Sequence, residues 1–187
     1  MRVRPRVQGL LQPAGRLLSR LGVGPTFVTL FGASITIFGA IMIGTGLGVS
    51  GAVVALIGAA IDGLDGAVAR ASGKVSARGA FLDASVDRIG EIAVLAGLAV
   101  AQRTDARILL LCLLALGGAL LIPYMRSKAE SVGLEGRGGL MGRAERVILV
   151  TVGIVAGQVE PMLWVFVVGA WFTVGQRFWS TYSRIDG

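Results

Sequence analysis

Four aspartates stand close together in a chain that is mostly apolar: Asp62, Asp65, Asp83 and Asp87. Burying one ionised carboxylate within a membrane costs several kcal/mol, and four carboxylates in one place would also repel one another. Divalent cations offset both penalties, because hard ions such as Mg²⁺ and Mn²⁺ prefer oxygen ligands. The cluster therefore predicts a metal centre that can hold two ions together with the phosphate of a substrate.

The residue types that the chain lacks narrow this chemistry further. It has no histidine and a single cysteine, Cys112, which lies in an apolar run. The commonest general base and transition-metal ligand is thus absent, and no disulfide framework can form. Acid–base and metal chemistry must use the carboxylates. Arg70 suits a phosphate oxygen, and Gly66 and Gly79 leave room where a ligand approaches the backbone, although membrane glycines also serve helix packing.

Two neighbouring helices must carry these side chains. At about 100° per residue, Asp62, Asp65 and Arg70 share one face of an apolar segment. Asp83 and Asp87 share one face of the next segment. A short connection joins the two, so we expect antiparallel neighbours whose acidic faces meet in the cytoplasmic half of the membrane.

The sequence leaves two other interpretations of these charged residues open. Pairs such as Asp87–Arg88, with Glu91 nearby, are also typical of a solvated cap at the ends of two helices. A cation transporter would use the aspartates as an ion path. Four carboxylates on two facing arcs favour a metal centre over a cap, and charges confined to one half of the membrane disfavour a path across it.

The composition indicates the class of protein. Of the 187 residues, 54% are hydrophobic, and the mean hydropathy is +0.76, which is too apolar for a soluble domain of this size. We predict a single-domain, all-α integral membrane protein over 1–187. At about 20 residues per crossing, the sequence predicts six transmembrane helices at 25–46, 51–71, 79–102, 107–128, 140–158 and 161–181.

The first 20 residues predict an amphipathic helix that lies on the membrane surface before the six-helix core of 21–187. This segment holds five arginines and no acidic residue, and its leucines fall near one helical face. Pro13 predicts a break that divides the segment into two short pieces. A cleaved signal peptide is not indicated, because no small-residue cleavage site follows the apolar part.

The basic residues indicate the orientation in the membrane. Of the 18 Lys and Arg residues, all but Arg103 and Arg107 fall on one side of the six predicted crossings. The positive-inside rule then places both termini in the cytoplasm, and we expect the protein in the cell (inner) membrane. The net charge of +7 is thereby explained by topology, with no nucleic acid as a partner.

The acidic segment resembles the signature of the CDP-alcohol phosphotransferase family, D-x2-D-G-x2-A-R-x8-G-x3-D-x3-D. All eight defined positions are filled at the right spacing, by Asp62, Asp65, Gly66, Ala69, Arg70, Gly79, Asp83 and Asp87. The resemblance implies that the four aspartates hold two metal ions, usually Mg²⁺. It also implies that Asp87 is the general base, which takes a proton from an acceptor alcohol. The alcohol attacks a CDP-linked lipid phosphate, and CMP leaves.

The same resemblance implies a lipid site and an assembly. CDP-diacylglycerol, a membrane lipid, would contact the nucleotide-site positions Gly66 and Arg70. By analogy, Ser76 and the stretch Pro25, Thr26, Phe27 and Val28 would also line this site, with a loop hydroxyl and a helix start as the alternative interpretation. The family implies a homodimer. The spacings Ala40–Gly44 and Gly153–Gly157 suit a dimer contact, and packing within one subunit is the alternative.

Basic residues between 124 and 148 indicate the acceptor. A phosphorylated acceptor explains so much positive charge beside the metals, whereas the positive-inside rule is the alternative. The segment resembles the branch of the family that joins inositol phosphate to CDP-diacylglycerol. The second candidate is the branch that uses glycerol phosphate as the acceptor. That branch shows G-K-x-K-T where this chain reads GLMGRAER. The expected phosphate ligands are Arg126, Lys128, Arg143 and Arg146, with Arg137 in the loop a weaker candidate.

Overall fold

The computed structural model describes residues 5–136 and 138–185, and these residues form eight helices and no strand. The helices are α1 (Pro5–Arg20), α2 (Pro25–Gly44), α3 (Gly48–Asp62), α4 (Asp65–Ala71), α5 (Ala77–Ala101), α6 (Ala106–Ser131), α7 (Arg143–Val155) and α8 (Val159–Ile185). The all-α prediction is confirmed.

Four helical segments in the described part of the chain are long and apolar enough to cross a membrane. They are Pro25–Gly44, Gly48–Ala71, Ala106–Ser131 and Val159–Ile185. Helix α5 has 25 residues, about 37 Å of helix, but its first half is charged. Helix α7 has 13 residues, about 20 Å, which is shorter than the hydrocarbon core. The membrane class is thus supported, whereas six crossings and a surface position for α1 stay predictions.

Two helix predictions are corrected by the structure. The predicted helix 51–71 is divided, because α3 ends at Asp62 and α4 begins at Asp65. Between them the Leu64 N–H donates to the Ile61 carbonyl over 3.0 Å, a tighter bond than the α-helical one, and Gly63 lowers the helix propensity here. The expected break at Pro13 is wrong, since α1 continues through it. A proline removes one helical hydrogen bond but need not end the helix.

Glycines bring α2 and α3 into close contact. A Cβ atom on Gly32 would lie 2.6 Å from the Asp62 backbone nitrogen, and one on Gly58 would lie 2.5 Å from the Thr36 nitrogen. Small residues at such contacts let helix backbones approach in a membrane protein. The end of α3, which carries Asp62, is therefore held directly against α2.

Replacing Gly32 by alanine is expected to lower the melting temperature of the purified protein. The added methyl group has no space beside Asp62, and overpacking of this kind costs about 1–3 kcal/mol. The matched control is Gly175→Ala in α8, where an added Cβ meets no atom of the described residues within 4 Å. Equal melting temperatures for the two variants would show that α2 and α3 can separate at no cost.

The loop between α6 and α7 is tied to α8. The Met141 N–H donates to Thr173 Oγ1 over 3.1 Å. Arg177 donates through Nε to the Gly138 carbonyl at 3.0 Å and through Nη1 to the Ile122 carbonyl at 2.7 Å. The contacts of Met141 and Gly138 hold the residues that precede α7, whereas the contact with Ile122 joins α6 to α8.

Candidate active site

Three of the four aspartates meet in one place. Carboxylate oxygens of Asp62, Asp83 and Asp87 all lie within 4.8 Å of one another. Asp62 stands at the last residue of α3, and the other two lie four residues apart on α5, a spacing that puts them on one face of a helix. The Asp62 and Asp87 side chains are 3% and 4% exposed. Two helices thus bring three carboxylates together in a largely buried position.

This group fits a divalent cation. Among the residues that the structure describes, none donates a hydrogen bond to the buried Asp62 Oδ1 atom, a situation that is costly unless a positive partner is present. All the ligand atoms are carboxylate oxygens, which suit Mg²⁺ or Mn²⁺. The prediction of an acidic metal centre is therefore supported for three residues, while the number of ions stays a prediction.

Asp65 lies beside this group and has other partners. Its Oδ2 accepts a hydrogen bond from Thr29 Oγ1 at 2.8 Å, and its Oδ1 accepts one from the Gly66 backbone N–H. The break between α3 and α4 separates Asp65 from Asp62 along the chain. Its role as a fourth metal ligand stays a prediction, and Thr29 is a partner that the sequence did not indicate.

Arg143 contacts the carboxylate group directly. Its Nη2 donates to Asp62 Oδ2 over 3.2 Å, and its Nη1 lies 2.6 Å from Asp87 Oδ1 as an ion pair outside hydrogen-bond geometry. The sequence predicted this residue as a ligand of the acceptor phosphate. The structure places its guanidinium between α3 and α5, where it partly neutralises the Asp62 and Asp87 carboxylates. Its N–H groups, which are hydrogen-bond donors, lie beside the aspartates.

Arg146 lies one turn further along α7 in a buried ion pair with Glu91. Its Nε is 2.5 Å from Glu91 Oε1 and its Nη2 is 3.0 Å from Oε2, while Nη1 donates to the Met141 carbonyl. The sequence predicted Arg146 near the acceptor and treated Glu91 only as part of a helix cap. The signal for Glu91 was available, because it continues the four-residue spacing of Asp83 and Asp87.

The other predicted acceptor ligands lie on the last turns of α6. Arg126 Nε is 2.8 Å from Glu130 Oε1, and the exposed Lys128 Nζ lies 5.9 Å from the centre of the Tyr124 ring. Neither contact involves an aspartate of the site. Arg137 lies outside the described residues.

The expected CDP-diacylglycerol residues border the site on α2. Pro25 and Thr26 begin the helix, Phe27 is exposed, and Val28 is buried. Phe27 stacks on Phe31, with ring centroids 5.7 Å apart. An exposed aromatic pair at a helix start suits contact with a lipid, but a helix start accounts for the two first residues equally well.

The remaining members of the predicted lipid site lie on α4 and before α5. Arg70 is exposed, and a Cβ on Gly66 would lie 3.3 Å from its Nη1. Ser76 Oγ accepts a hydrogen bond from the Gly79 N–H at 3.1 Å and caps α5. Arg70 is thus free to meet an anionic ligand, whereas capping alone accounts for Ser76.

Comparison with known proteins agrees with this geometry. A family model described as CDP-alcohol phosphatidyltransferase matches residues 23–179. The archaetidylinositol phosphate synthase of Pyrococcus horikoshii is 30% identical over 189 residues, covering 99% of this chain and 97% of that protein. The phosphatidylinositol phosphate synthase of Mycolicibacterium smegmatis is 34% identical over 168 residues, covering 87% and 76%.

Solved structures show the same fold. The Mycobacterium tuberculosis phosphatidylinositol phosphate synthase with manganese and citrate matches with a TM-score of 0.86 and 31% identity, over 92% of this chain and 88% of that chain. The same enzyme with CDP-DAG bound matches with a TM-score of 0.85, over 92% and 93%. The family model, the relatives and the acidic site agree, and the chain belongs to the CDP-alcohol phosphatidyltransferase family.

Proposed function

We propose that this protein transfers the phosphatidyl group of CDP-diacylglycerol to inositol phosphate, with release of CMP. The observation that carries the proposal is the buried group of three carboxylates with Arg143 across it, inside the family signature. Relatives named archaetidylinositol and phosphatidylinositol phosphate synthases support this acceptor. The second candidate is a phosphatidylglycerophosphate synthase, which would use glycerol 3-phosphate.

The metal centre in this proposal is built from Asp62, Asp83 and Asp87, with Asp65 as a fourth ligand. We propose two Mg²⁺ ions, with Mn²⁺ as a substitute, and the manganese in the M. tuberculosis enzyme supports this choice. When bound, the ions would supply Lewis-acid stabilisation of the charge that develops on the diphosphate.

The protein's own groups have distinct tasks in the transfer. Asp87 takes the proton from the attacking hydroxyl of the acceptor, and no histidine is available for this step. The acceptor oxygen forms a bond to the phosphorus that carries diacylglycerol, and the bond from this phosphorus to the CMP oxygen breaks. Arg70, beside Gly66, holds the diphosphate. The first turn of α2, from Pro25 to Val28, and Ser76 border the lipid.

The acceptor phosphate is held by the basic residues at the inner ends of α6 and α7. Arg126 and Lys128 are exposed enough to reach it, and Arg143 connects it to the aspartates. Arg146 differs from these, because all three nitrogens of its guanidinium already have hydrogen-bond partners. Such a site discriminates against an acceptor without phosphate, since its cations would be left unpaired.

The membrane arrangement is part of the same proposal. Six crossings with both termini in the cytoplasm place the site at the cytoplasmic face of the cell membrane, where a water-soluble acceptor can enter. The protein acts as a homodimer. Both small-residue patterns that suit a dimer contact have neighbours within the subunit: Gly44 lies against Gly97, and Gly153 lies against Met162. The dimer contact is therefore expected on another face.

The function is tested by CMP release from purified protein with CDP-diacylglycerol and Mg²⁺, comparing acceptors. Inositol phosphate is expected to be used fastest and free inositol far more slowly. Faster use of glycerol 3-phosphate would favour the second candidate. Absence of CMP release with every acceptor, together with cation flux in vesicles, would support a transporter instead.

Arg126→Ala is expected to raise KM for inositol phosphate about ten-fold or more, because a charge-assisted phosphate contact contributes about 1.5–3 kcal/mol. KM for CDP-diacylglycerol should change little. Arg107→Ala, which removes an ion pair with Glu160 on the opposite side, is the matched control. An unchanged KM for inositol phosphate would leave Arg126 with a role in topology only.

A further inference from the structure

The ion pair between Glu91 on α5 and Arg146 on α7 is the most buried one near the site. The Arg146 and Glu91 side chains are 2% and 7% exposed, and both carboxylate oxygens contact the guanidinium, at 2.5 and 3.0 Å. Removing two charges from water is expensive, so a buried pair is weak evidence for a stabilising role. Glu91 is outside the eight signature positions and has no task in the proposed transfer.

The Glu91–Arg146 pair repeats the contact between Asp87 and Arg143 one turn further along both helices. Asp87 and Glu91 are four residues apart on α5, and Arg143 and Arg146 are three apart on α7, so each set occupies one face of its helix. Arg143 reaches the aspartates, and Arg146 reaches Glu91 one turn away. Arg143 and Arg146 are thus held by acidic side chains on the same face of α5, one turn apart.

Few other contacts join the two helices at this level. A cavity of about 40 Å³ lies between α2, α3, α5 and α7, and its wall includes Glu91, Arg143, Arg146 and the apolar side chains Leu56 and Val94. Apolar packing between α5 and α7 is incomplete here. The two ion pairs bridge the space that packing leaves open.

Besides the loop contacts with α8 and the ion pairs of Arg143, the contacts of Arg146 hold the first turn of α7. Gly142 offers no side-chain cap to the helix. Arg146 Nη1 donates to the Met141 carbonyl at 3.0 Å, and the Met141 N–H is bound by Thr173. Glu91 is thus connected through Arg146 to the loop before α7.

Arg88 extends the connection along α5. Its Nη1 lies 3.4 Å from Glu91 Oε2, and its Nη2 lies 3.6 Å from Asp87 Oδ2. Glu91 therefore faces two arginines, and one of them also contacts the proposed base.

We propose that Glu91 is a positioning residue for the acceptor side of the site. Through its buried pair with Arg146, it holds the first turn of α7 so that Arg143 spans Asp62 and Asp87 and keeps N–H donors available for the acceptor's phosphate. This rests on the proposed function, because it requires a phosphorylated acceptor. Glu91 itself touches no substrate.

The test compares wild type with Glu91→Gln and with the double variant Glu91→Leu/Arg146→Met, all as full-length protein. The apolar pair fills the same place without charge, and such replacements are often neutral or stabilising. We expect the double variant to melt near the wild-type temperature and to bind Mn²⁺ normally by electron paramagnetic resonance. KM for the phosphorylated acceptor should rise about ten-fold or more, the effect of one lost phosphate contact, in Glu91→Gln, which keeps Arg146, as well as in the double variant, while KM for CDP-diacylglycerol stays within two-fold.

Other outcomes have distinct meanings. Unchanged KM for the acceptor in Glu91→Gln would overturn the proposal, even if KM rose in the double variant, because Arg146 alone would then account for the effect. Failure of the double variant to fold would also overturn it, because the pair would then serve stability. The Arg107→Gln/Glu160→Gln variant, which removes the exposed pair at 2.7 Å, is the control and should keep both KM values. If wild type uses no phosphorylated acceptor, the proposed function fails, whatever the variants do.

Discussion

Asp87→Asn is expected to bind CDP-diacylglycerol but to turn over at least about 10²–10⁴-fold more slowly, the usual effect of losing a general base. The amide keeps the shape of the side chain but takes up no proton, and loss of a metal ligand adds to the effect. The change is measured as single-turnover CMP release, with lipid binding followed separately. No histidine can replace the base.

The matched control for this variant is Asp105→Asn, a carboxylate on the opposite side of the fold. Asp105 caps α6 by accepting hydrogen bonds from the Arg107 and Ile108 N–H groups at 2.9 and 3.1 Å. Asparagine caps a helix about as well, so activity should be normal. A near-normal rate for Asp87→Asn would move the base to another residue.

Removal of divalent cations is expected to abolish activity, and Mg²⁺ or Mn²⁺ should restore it. The physical reason is that several carboxylates in one buried place need positive charge, and Arg143 alone cannot balance them. Asp62→Asn, Asp65→Asn and Asp83→Asn should each lower Mn²⁺ affinity, measured by electron paramagnetic resonance, together with turnover. The losses for Asp62 and Asp83 should exceed that for Asp65, which lies outside the three-carboxylate group.

Two results would contradict the metal centre. One is full turnover in excess chelator. The other is normal Mn²⁺ binding by both Asp62→Asn and Asp83→Asn, because two of the three converging ligands would then be dispensable. The control is Glu160→Gln, which removes a carboxylate that is 36% exposed and paired with Arg107, away from the aspartates and from the proposed acceptor ligands.

The helices were predictable because their signals are local. Apolar length and short polar connections placed α2, α5, α6 and α8 within a few residues of their observed bounds. The break between Asp62 and Asp65 was not predictable from periodicity, since both residues fit one helical face. It depends on local backbone bonding around Gly63 and on the contact of Thr29 with Asp65, which joins residues that are far apart in sequence.

The sequence by itself determined the chemistry of the protein: carboxylates without histidine, at spacings that put them on the faces of two helices, in a chain apolar enough for a membrane. The tertiary structure alone decided how the charges pair. Three arginines of similar sequence context have different surroundings, from the buried Arg146 to the half-exposed Arg126. The reason is that a pattern specifies which face a side chain occupies, whereas its partner is decided by which helix packs against that face and at what height.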